Sequence, residues 1–335
     1  MNHIVASSVL GCGELPVTGA LPHPAGTAQS TRHIGIVGLG RMGEAFARNL
    51  LSDGYQVTVH DRNEARGKLL ACAGAEPASG VAGLAACRVV LTSLPDDEIL
   101  SDVALGAGGL VETLAPGAIH VSMSTISPGL SRQLAERHQR AGQHYVAAPV
   151  LGNPDAAKAR QLFILVSGAH GAVGDVSALL GGLGQRLFLL GEDPGAANLM
   201  KLASNVLTAL TLESMGEVLA LLRKGGIDGG AAFDVLTNSF FDGKVHKIYG
   251  RKIVEERYTP PGMTAQLAVK DLRLALAEAE HEAVPMPAAS LVHDRLVAMV
   301  ARGWTELDWS ALGLLASVDA GLESANAQMA HAQTA

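Results

Sequence analysis

The sequence predicts an α/β protein: an N-terminal, doubly wound, mainly parallel sheet, followed by an all-helical C-terminal part built on one long helix. Three observations support this fold class. Short apolar runs alternate with helical patterns from His33 to Asp193, a glycine-rich turn follows the first run, and no strand pattern is evident after Asp193. Such alternation is typical of a parallel sheet whose two faces are covered by helices.

Composition narrows the class of protein. The 335 residues suffice for about two domains, and 48% of them are hydrophobic whereas only 4% are aromatic. Aliphatic side chains must therefore fill the core, which favours helices and parallel strands over an aromatic-rich sandwich. The net charge is −7, and no basic run is present. A nucleic-acid partner, which requires a basic face, is therefore not expected.

Cysteines, histidines and apolar stretches exclude further classes. Cys12, Cys72 and Cys87 lack the spacing of zinc or redox sites, and the 12 histidines lack metal-ligand spacing, so no metal is expected. Unpaired cysteines are consistent with the cytoplasm. No run of 18 uncharged apolar residues occurs, so neither a transmembrane helix nor a membrane partner is expected.

The chain is divided into four segments by these patterns. Residues 1–32 are rich in Gly, Pro, Ser and Thr, and they are expected to be a disordered extension. Residues 33–193 are expected to form the nucleotide-binding domain and residues 194–325 a helical domain, which leaves 326–335 as a C-terminal tail.

Individual elements follow from local signals. The first part should contain a strand at His33–Gly38, a helix at Arg41–Ser52 and a strand at Gln56–His60, because apolar and helical spacing alternate there. Ser127-Pro128 should open a helix that ends near residue 140. Four further strands are predicted, at Arg88–Ser93, Ala118–Val121, His144–Ala147 and Leu162–Val166.

The second part begins with a strong helix start. Asp193-Pro194 combines a capping carboxylate with a first-turn proline, and no break follows until Gly225-Gly226. A helix of about 30 residues, roughly 45 Å long, is therefore predicted. Five more helices are expected, at Ala231–Thr237, Ile248–Arg257, Leu267–His281, Pro287–Arg302 and Ser310–Ala325.

The glycine-rich turn predicts a dinucleotide site of Rossmann type. The hexapeptide has the G-x-G-x-x-G pattern, follows a strand and opens a helix. Its first glycine permits the tight turn, its second lets the backbone approach a pyrophosphate, and its third allows helix and strand to pack closely. The predicted cofactor-binding residues here are Gly38, Leu39, Gly40, Arg41, Met42 and Gly43.

Two charged residues bear on the choice between NAD and NADP. Asp61 follows the second strand, where a carboxylate accepts hydrogen bonds from the adenine ribose and repels a 2′-phosphate. Arg62 could grip that phosphate or stack on adenine, or it could be a solvated loop charge. The balance is slightly in favour of NAD, with NADP left open.

Four motifs in a fixed order carry a family resemblance: GIVGLGRMG at 35–43, SMSTISP at 122–128, APVLGNP at 148–154, and GAANLMKLASN at 195–205 followed by KDL at 270–272. With them the chain resembles, over about residues 33–325, the β-hydroxyacid dehydrogenase family. That family includes 3-hydroxyisobutyrate dehydrogenases and tartronate-semialdehyde, glyoxylate and succinic-semialdehyde reductases. The resemblance implies a 6-phosphogluconate dehydrogenase-type nucleotide domain and NAD(P)-dependent oxidation or reduction at a CH–OH group.

Lys201 is the catalytic residue that the resemblance implies: it exchanges a proton with the substrate oxygen. Its setting agrees, because an ammonium in a nearly uncharged helix is costly unless it is paired or functional. Burial and a positive helix end favour the neutral amine. A surface lysine is the competing interpretation. Asn205 lies four residues on, on the same face, where the resemblance makes it orient Lys201 and substrate; a structural buried Asn is the alternative.

The remaining predicted site residues follow strands or lie in the KDL motif. The resemblance implies that Ser124 binds the substrate carboxylate and that Thr125 lies beside it. Alternatively, both residues could simply cap the next helix. Leu94 and Pro95 correspond to a cofactor-contacting turn. Lys270 corresponds to a lysine directed towards the cofactor and Asp271 to its structural neighbour, and a solvated helix face is the alternative for both.

The chain departs from the family pattern at two positions. Ser122 replaces the usual Asp, and Leu151 replaces a serine that would bind the substrate carboxylate. Losing a hydrogen bond to a charged group costs roughly 1.5–3 kcal/mol, so a larger or less polar carbonyl compound becomes a candidate substrate. Gly152 can still offer its backbone N–H.

Two alternative functions remain open at this stage. An imine reductase-like enzyme would share the fold, but such enzymes typically have Asp or Tyr in place of the lysine. A non-catalytic NAD(P)-binding module would also share it, and Lys201 disfavours both. The apolar second half and the family resemblance together predict a homodimer or homotetramer.

Overall fold

A computed structural model describes residues 32–322. The extension predicted for residues 1–32 therefore lies, except for Arg32, outside the described residues, as does the predicted C-terminal tail. A central sheet occupies the first part of the described chain, and helices make up the second.

Nine strands form one sheet within residues 32–322. Strands β1 to β6 pair in parallel in the order β3-β2-β1-β4-β5-β6, and β8 then pairs antiparallel with both β6 and β7, whereas β9 pairs parallel with β8. The central strands β4 and β5 are buried along their whole length, as expected when helices cover both faces. The strands are β1 (His33–Val37), β2 (Gln56–His60), β3 (Glu76–Pro77), β4 (Val89–Thr92), β5 (Ile119–Ser122), β6 (His144–Ala147), β7 (Val150–Leu151), β8 (Leu162–Gly168) and β9 (Gly184–Leu189).

Helices pack on both faces of this sheet. One apolar cluster contains Phe46 and Leu50 of α1 with Leu180 of α7, and another contains Leu100 of α3 with Leu134 of α5. The helices are α1 (Arg41–Ser52), α2 (Glu64–Ala71), α3 (Asp97–Leu105), α4 (Leu110–Thr113), α5 (Pro128–Arg140), α6 (Pro154–Lys158) and α7 (His170–Leu183). The predicted α/β fold class is confirmed by this arrangement.

The long helix α8 (Pro194–Lys224) connects the sheet to the helical part. Asp193 caps it by accepting a hydrogen bond from the Gly195 N–H at 3.0 Å. Its 31 residues are long and apolar enough to cross a membrane, but half of the apolar window is buried inside the fold. Because α8 packs against β8, α5, α11 and α13, it is the core helix of this fold.

Within residues 32–322, five shorter helices pack against α8: α9 (Gly229–Thr237), α10 (Lys244–Val254), α11 (Ala265–His281), α12 (Pro287–Ala301) and α13 (Leu312–Asp319). They share an apolar core with α8 that includes Leu212, Leu272 and Leu296. The backbones of α8 and α13 touch, since a Cβ at Gly216 would lie 2.8 Å from the Gly313 Cα.

The structure corrects several predicted boundaries. The helix predicted to end at residue 257 ends at Val254, because Glu256 adopts a φ of 47° that no helix continues. The helix predicted from Ser310 to Ala325 is a short 3-10 turn followed by α13, which ends at Asp319 ahead of Gly321 at φ 65°. Strands β3, β7 and β9 escaped prediction, since two-residue strands and the polar start of β9 carry no clear periodicity.

Candidate active site

The glycine turn at the end of β1 is shaped by three different constraints. Gly38 has a φ of 88°, and a Cβ there would lie 2.3 Å from the Ser93 carbonyl oxygen. A Cβ at Gly43 would lie 1.9 Å from the Gly38 oxygen, so helix α1 approaches β1 too closely for a side chain. A Cβ at Gly40 would meet no atom within 4 Å. Gly40 therefore presents open backbone at the positive end of α1, which suits a pyrophosphate.

Asp61, directly after β2, stabilises this turn through hydrogen bonds. Its carboxylate accepts hydrogen bonds from the Leu39 N–H at 2.7 Å and the Asn63 N–H at 2.8 Å, with Arg66 at 3.3 Å. Burial raises the pKa of Asp61, but these hydrogen bonds and the Arg66 charge outweigh it, so its net pKa lies below the usual value. Arg62, the next residue, is exposed. A negative charge is thus fixed at the end of β2, beside the glycine turn.

A cavity of about 140 Å³ adjoins the turn and is lined in part by Leu39, Gly40, Arg41 and Arg66. The Arg41 guanidinium donates a hydrogen bond to the carbonyl oxygen of Pro261, which belongs to the segment between α10 and α11. The helical part therefore reaches over the glycine turn. Met42 is half-buried and packs on the sheet core. The residues present fit a dinucleotide.

The turns after β4 and β5 are joined by one hydrogen bond. The buried Ser124 hydroxyl accepts from the Leu94 N–H at 2.8 Å, which leaves the hydroxyl proton free to donate. Beside this bond, Thr125 is half-buried and Pro95 is exposed. The predicted substrate and cofactor turns are thus adjacent at the carboxyl end of the sheet, where ligands of such sheets bind.

Lys201 lies at one end of a polar chain that links α8 with α11. Its Nζ donates to Asn205 Oδ1 at 3.1 Å, and Asn205 Nδ2 donates to Asp271 Oδ2 at 2.5 Å. Asp271 also pairs with Lys270 at 2.8 Å, and the Lys270 ammonium donates to the Thr125 carbonyl oxygen at 2.5 Å. The chain therefore runs from Lys201 to the turn that carries Ser124.

This environment shifts the pKa of Lys201. Burial lowers its pKa to about 8, Asp271 opposes the shift, and the Lys270 charge adds to it. A lysine with such a pKa is largely protonated at neutral pH and can still lose its proton, as general acid–base chemistry requires. The structure thus brings together Lys201, Asn205, Lys270 and Thr125, which were predicted separately.

Gly152 lies where β7 ends, and only glycine fits there. Its φ is 142°, and a Cβ would lie 2.6 Å from the Leu162 side chain. Leu165 N donates to the Pro149 oxygen at 2.9 Å, so the alternation of an antiparallel ladder directs the Gly152 N–H away from β8. Asn153 caps α6 by accepting from Ala156 N at 2.9 Å. The Leu151 side chain packs into the apolar cluster between sheet and α8.

Sequence reasoning underestimated Asp271, which was treated only as a neighbour of Lys270. The carboxylate is 3% exposed and holds both Asn205 and Lys270. The signal was available, because an acid next to a lysine on the apolar face of a helix needs a partner to be buried.

Comparisons with known proteins agree with this geometry. A family model described as the NAD binding domain of 6-phosphogluconate dehydrogenase matches residues 33–191. A second, described as the NAD-binding domain of NADP-dependent 3-hydroxyisobutyrate dehydrogenase, matches residues 195–315. The two matches together span the sheet, α8 and the helices around it.

Full-length relatives extend this likeness. The uncharacterized oxidoreductase YfjR of Bacillus subtilis is 37% identical over 281 residues, which is 83% of this chain and 98% of the relative. Glyoxylate/succinic semialdehyde reductase 1 of Arabidopsis thaliana is 30% identical over 83% of this chain and 96% of its own. A crystal structure of 3-hydroxyisobutyrate dehydrogenase from Salmonella typhimurium superposes with a TM-score of 0.77 at 24% identity, over 84% of this chain and 99% of its own, which supports the fold.

Proposed function

Because the chain belongs to the β-hydroxyacid dehydrogenase family and is therefore an NAD(P)-dependent oxidoreductase of CH–OH groups, we propose that Lys201 is the proton donor and acceptor of its reaction. The substrate is a β-hydroxy acid or the corresponding semialdehyde. The observation that carries this proposal is the hydrogen-bonded chain from Lys201 through Asn205 to Asp271, with the lysine pKa lowered to about 8.

The protonation step follows from this geometry. A bound nicotinamide supplies the hydride in reduction and receives it in oxidation. In reduction the Lys201 ammonium donates a proton to the carbonyl oxygen as negative charge develops there. Asn205 Oδ1 accepts from the ammonium and so fixes its position, while Asp271 holds the Asn205 amide. In oxidation the neutral Lys201 amine takes the hydroxyl proton.

Substrate contacts are proposed for the residues around Lys201. Ser124 retains a hydroxyl proton that can be donated to a substrate carboxylate, and Gly152 offers an N–H directed away from β8. Thr125 lies beside Ser124, and its carbonyl oxygen is already held by Lys270. Leu151 adds an apolar wall, which suits a substrate with more carbon atoms than the smallest hydroxy acids.

Cofactor contacts are proposed for the glycine turn and its neighbours. Gly38 to Gly43 would hold the pyrophosphate, the turn at Leu94 and Pro95 would border the nicotinamide, and Lys270 would border it from the helical side. We favour NAD, because the Asp61 carboxylate fixed at the end of β2 repels a 2′-phosphate. Arg62 is the residue that would support NADP instead.

The proposal also includes a domain boundary, an oligomeric state, and a cellular compartment with the kind of partner found there. We place the boundary between the nucleotide-binding and helical domains after residue 193, because α8 begins at Pro194. The chain assembles as a homodimer or homotetramer. It acts in the cytoplasm on a small-molecule carbonyl or hydroxy-acid substrate, with no nucleic-acid or membrane partner.

One assay tests the function. The protein is mixed with NADH or NADPH and with succinic semialdehyde, tartronate semialdehyde, glyoxylate or a cyclic imine, and the absorbance of reduced nicotinamide is followed. We expect turnover with a semialdehyde or oxoacid, and a lower KM for NADH than for NADPH. Turnover of the imine alone would reassign the site to imine reduction, and binding of cofactor without any turnover would contradict an enzymatic role.

A further inference from the structure

A short antiparallel extension places Leu151, the proposed apolar wall of the substrate site, beyond the end of the main sheet. Strand β6 pairs with β8 only at Val146 and Ala147, and the chain then continues into β7, which pairs with the start of β8. The pair Leu151↔Phe163 therefore lies past the carboxyl ends of the parallel strands. Because directly opposed residues of a ladder point to the same face, the Phe163 ring stands beside Leu151, next to Gly152.

A lysine from the helical part lies on this ring. Lys244, the first residue of α10, places its Nζ 5.1 Å from the centroid of Phe163. Within residues 32–322 no carboxylate pairs with Lys244, since the nearby Asp242 pairs with Lys247 instead. The side chain is exposed. It is thus a solvent-accessible ammonium held by an aromatic face at the edge that carries Leu151 and Gly152.

Helix α8 runs along the same edge. It begins beside β8, where the Ala197 N–H donates to Ser167 Oγ at 3.1 Å, and it packs against β8 and β7. One turn beyond Ala197 lies Lys201, on the same helix face. The ladder and the helix therefore bring the Lys244 ammonium and the proposed proton donor to the same end of the sheet.

We infer that Lys244 forms, with the Gly152 N–H, a subsite for the remote carboxylate of a semialdehyde substrate. This inference rests on the proposed function. Leu151 offers no hydrogen-bond donor, so an anionic group bound at this wall needs a donor from elsewhere. An ammonium without a carboxylate partner supplies both charge and hydrogen bonds, and the Phe163 ring holds it without neutralising it.

The chemistry predicts which substrates the subsite selects. A carbonyl compound with a terminal carboxylate can bind to Lys244 while its carbonyl oxygen faces Lys201. An aldehyde of equal length without the carboxylate gains nothing from Lys244. Lys244 therefore acts on specificity for the anionic end of the substrate rather than on proton transfer.

The test compares KM values for succinic semialdehyde and butanal in the wild type, Lys244→Gln and Lys244→Arg. In Lys244→Gln we expect the KM for succinic semialdehyde to rise roughly 10- to 100-fold, as for a lost hydrogen bond to a charged group, with the KM for butanal unchanged. Lys244→Arg should keep most of the preference. Equal effects on both aldehydes, or no effect, would overturn the inference and make Lys244 a packing residue.

A matched control is available on the same helix. Arg251 of α10 places its guanidinium 5.3 Å from the Phe233 centroid, the same kind of contact about two turns beyond Lys244. Arg251→Gln should leave both KM values unchanged, and a rise equal to that in Lys244→Gln would mean that general surface charge, rather than the subsite, selects the anion.

Failure of the proposed function is distinguished by a binding measurement. If the wild type reduces no aldehyde, the proposed function fails, and calorimetric titration with succinate in the presence of NAD decides the inference separately. Binding to the wild type that is at least 10-fold weaker in Lys244→Gln supports the subsite. Equal binding to both proteins, or no binding to the wild type, overturns it.

Discussion

The pKa of Lys201 depends on two charges on the neighbouring helix α11. Burial moves its pKa down to about 8, Asp271 acts against that shift, and Lys270 acts with it. Because Asp271 touches Lys201 only through Asn205, it is a positioning residue whose charge nevertheless reaches the ammonium.

The two charges should move the pH profile of reduction in opposite directions. Reduction needs the protonated lysine, so kcat/KM should fall as pH rises through about 8. Asp271→Asn removes a stabilising negative charge and should shift this fall to lower pH, whereas Lys270→Met removes a repelling charge and should shift it to higher pH. Both profiles are measured with one semialdehyde at saturating cofactor. Shifts in the same direction, or none, would contradict the proposed electrostatics.

At this scale the sequence predicted individual site residues better than their partners. Lys201 and Asn205 are four positions apart on one helix, so their contact follows from helical geometry alone. The bonds from Asp271 to Asn205 and from Lys270 to the Thr125 oxygen join residues distant in the chain, and only the packing of α8, α11 and β5 brings them together.

Among the elements, α8 and α13 make an unusually close contact. A methyl group at Gly216 would collide with the Gly313 backbone, which cannot move aside as a side chain can. Gly174 of α7 is also within a helix, but a Cβ there would meet nothing within 4 Å.

These two glycines form a matched pair. Gly216→Ala should lower the free energy of unfolding by about 1–3 kcal/mol through overpacking. Gly174→Ala should raise it by up to about 1 kcal/mol, because alanine is the better helix former. Urea unfolding measures both. Stabilisation by Gly216→Ala would show that α8 and α13 are farther apart than described.

A second element-scale feature is a buried histidine pair that links β5 to α5. Gln143 donates its amide to the Leu114 carbonyl, so its oxygen accepts from His138 Nδ1 at 2.7 Å. His138 Nε2 then accepts from His120 Nδ1 at 2.9 Å, and His120 Nε2 accepts from the Thr92 hydroxyl at 3.0 Å. Both rings are neutral in this chain of hydrogen bonds.

The pair should make the fold acid-sensitive. Burial lowers the pKa of His138 to about 4 and holds the pKa of His120 well below its usual value, while both take up protons near pH 6.5 when unfolded. The contribution of His138 to stability is therefore full above about pH 6.5 and is lost as pH falls towards about 4, by roughly 2 kcal/mol at pH 5. His120 adds a loss of the same sign.

Denaturant unfolding at pH 7 and pH 5 measures this effect. The loss of stability between the two pH values should be about 2 kcal/mol smaller in His138→Gln than in the wild type. Replacement of the exposed His144 by Gln serves as the control and should leave the loss unchanged. An unchanged loss in His138→Gln would contradict a neutral, buried pair.

The elements predicted from the sequence are those with clear local signals, such as a cap, a periodic apolar pattern or a long stretch without a break. The 31-residue α8 was predicted from its cap and the lack of a break, and its bounds agree with the structure. Strands β7 and β9 were missed because β7 has two residues and β9 has exposed positions on both faces, so neither carries a clear alternation. Yet β7 and β8 place Phe163 beside Leu151, so the contact of Lys244 with this ring could not be foreseen.

For the whole molecule, one side of α8 remains apolar and exposed. Leu207, Val218 and Leu221 are 65%, 41% and 71% exposed, and their spacing puts them on one helix face. Burying this face against a second copy of the chain accounts for the proposed homodimer or homotetramer.

Light scattering tests the assembly. The wild type should have twice or four times the mass of one chain, and the double variant Leu207→Glu, Leu221→Glu should reduce it. Leu69→Glu, at a leucine of α2 that is 57% exposed, should leave the mass unchanged. A monomeric wild type at micromolar concentration would contradict the proposed oligomer.

The most direct test of the account as a whole is the turnover and NADH affinity of Lys201→Met, with Lys224→Met at the exposed end of the same helix as the control. The proposed role predicts that turnover by Lys201→Met falls at least about 100-fold, as expected for the loss of a general acid. The Kd of this variant for NADH should stay near the wild-type value, and Lys224→Met should remain fully active. Full turnover by Lys201→Met would contradict the central claim that this lysine exchanges the proton.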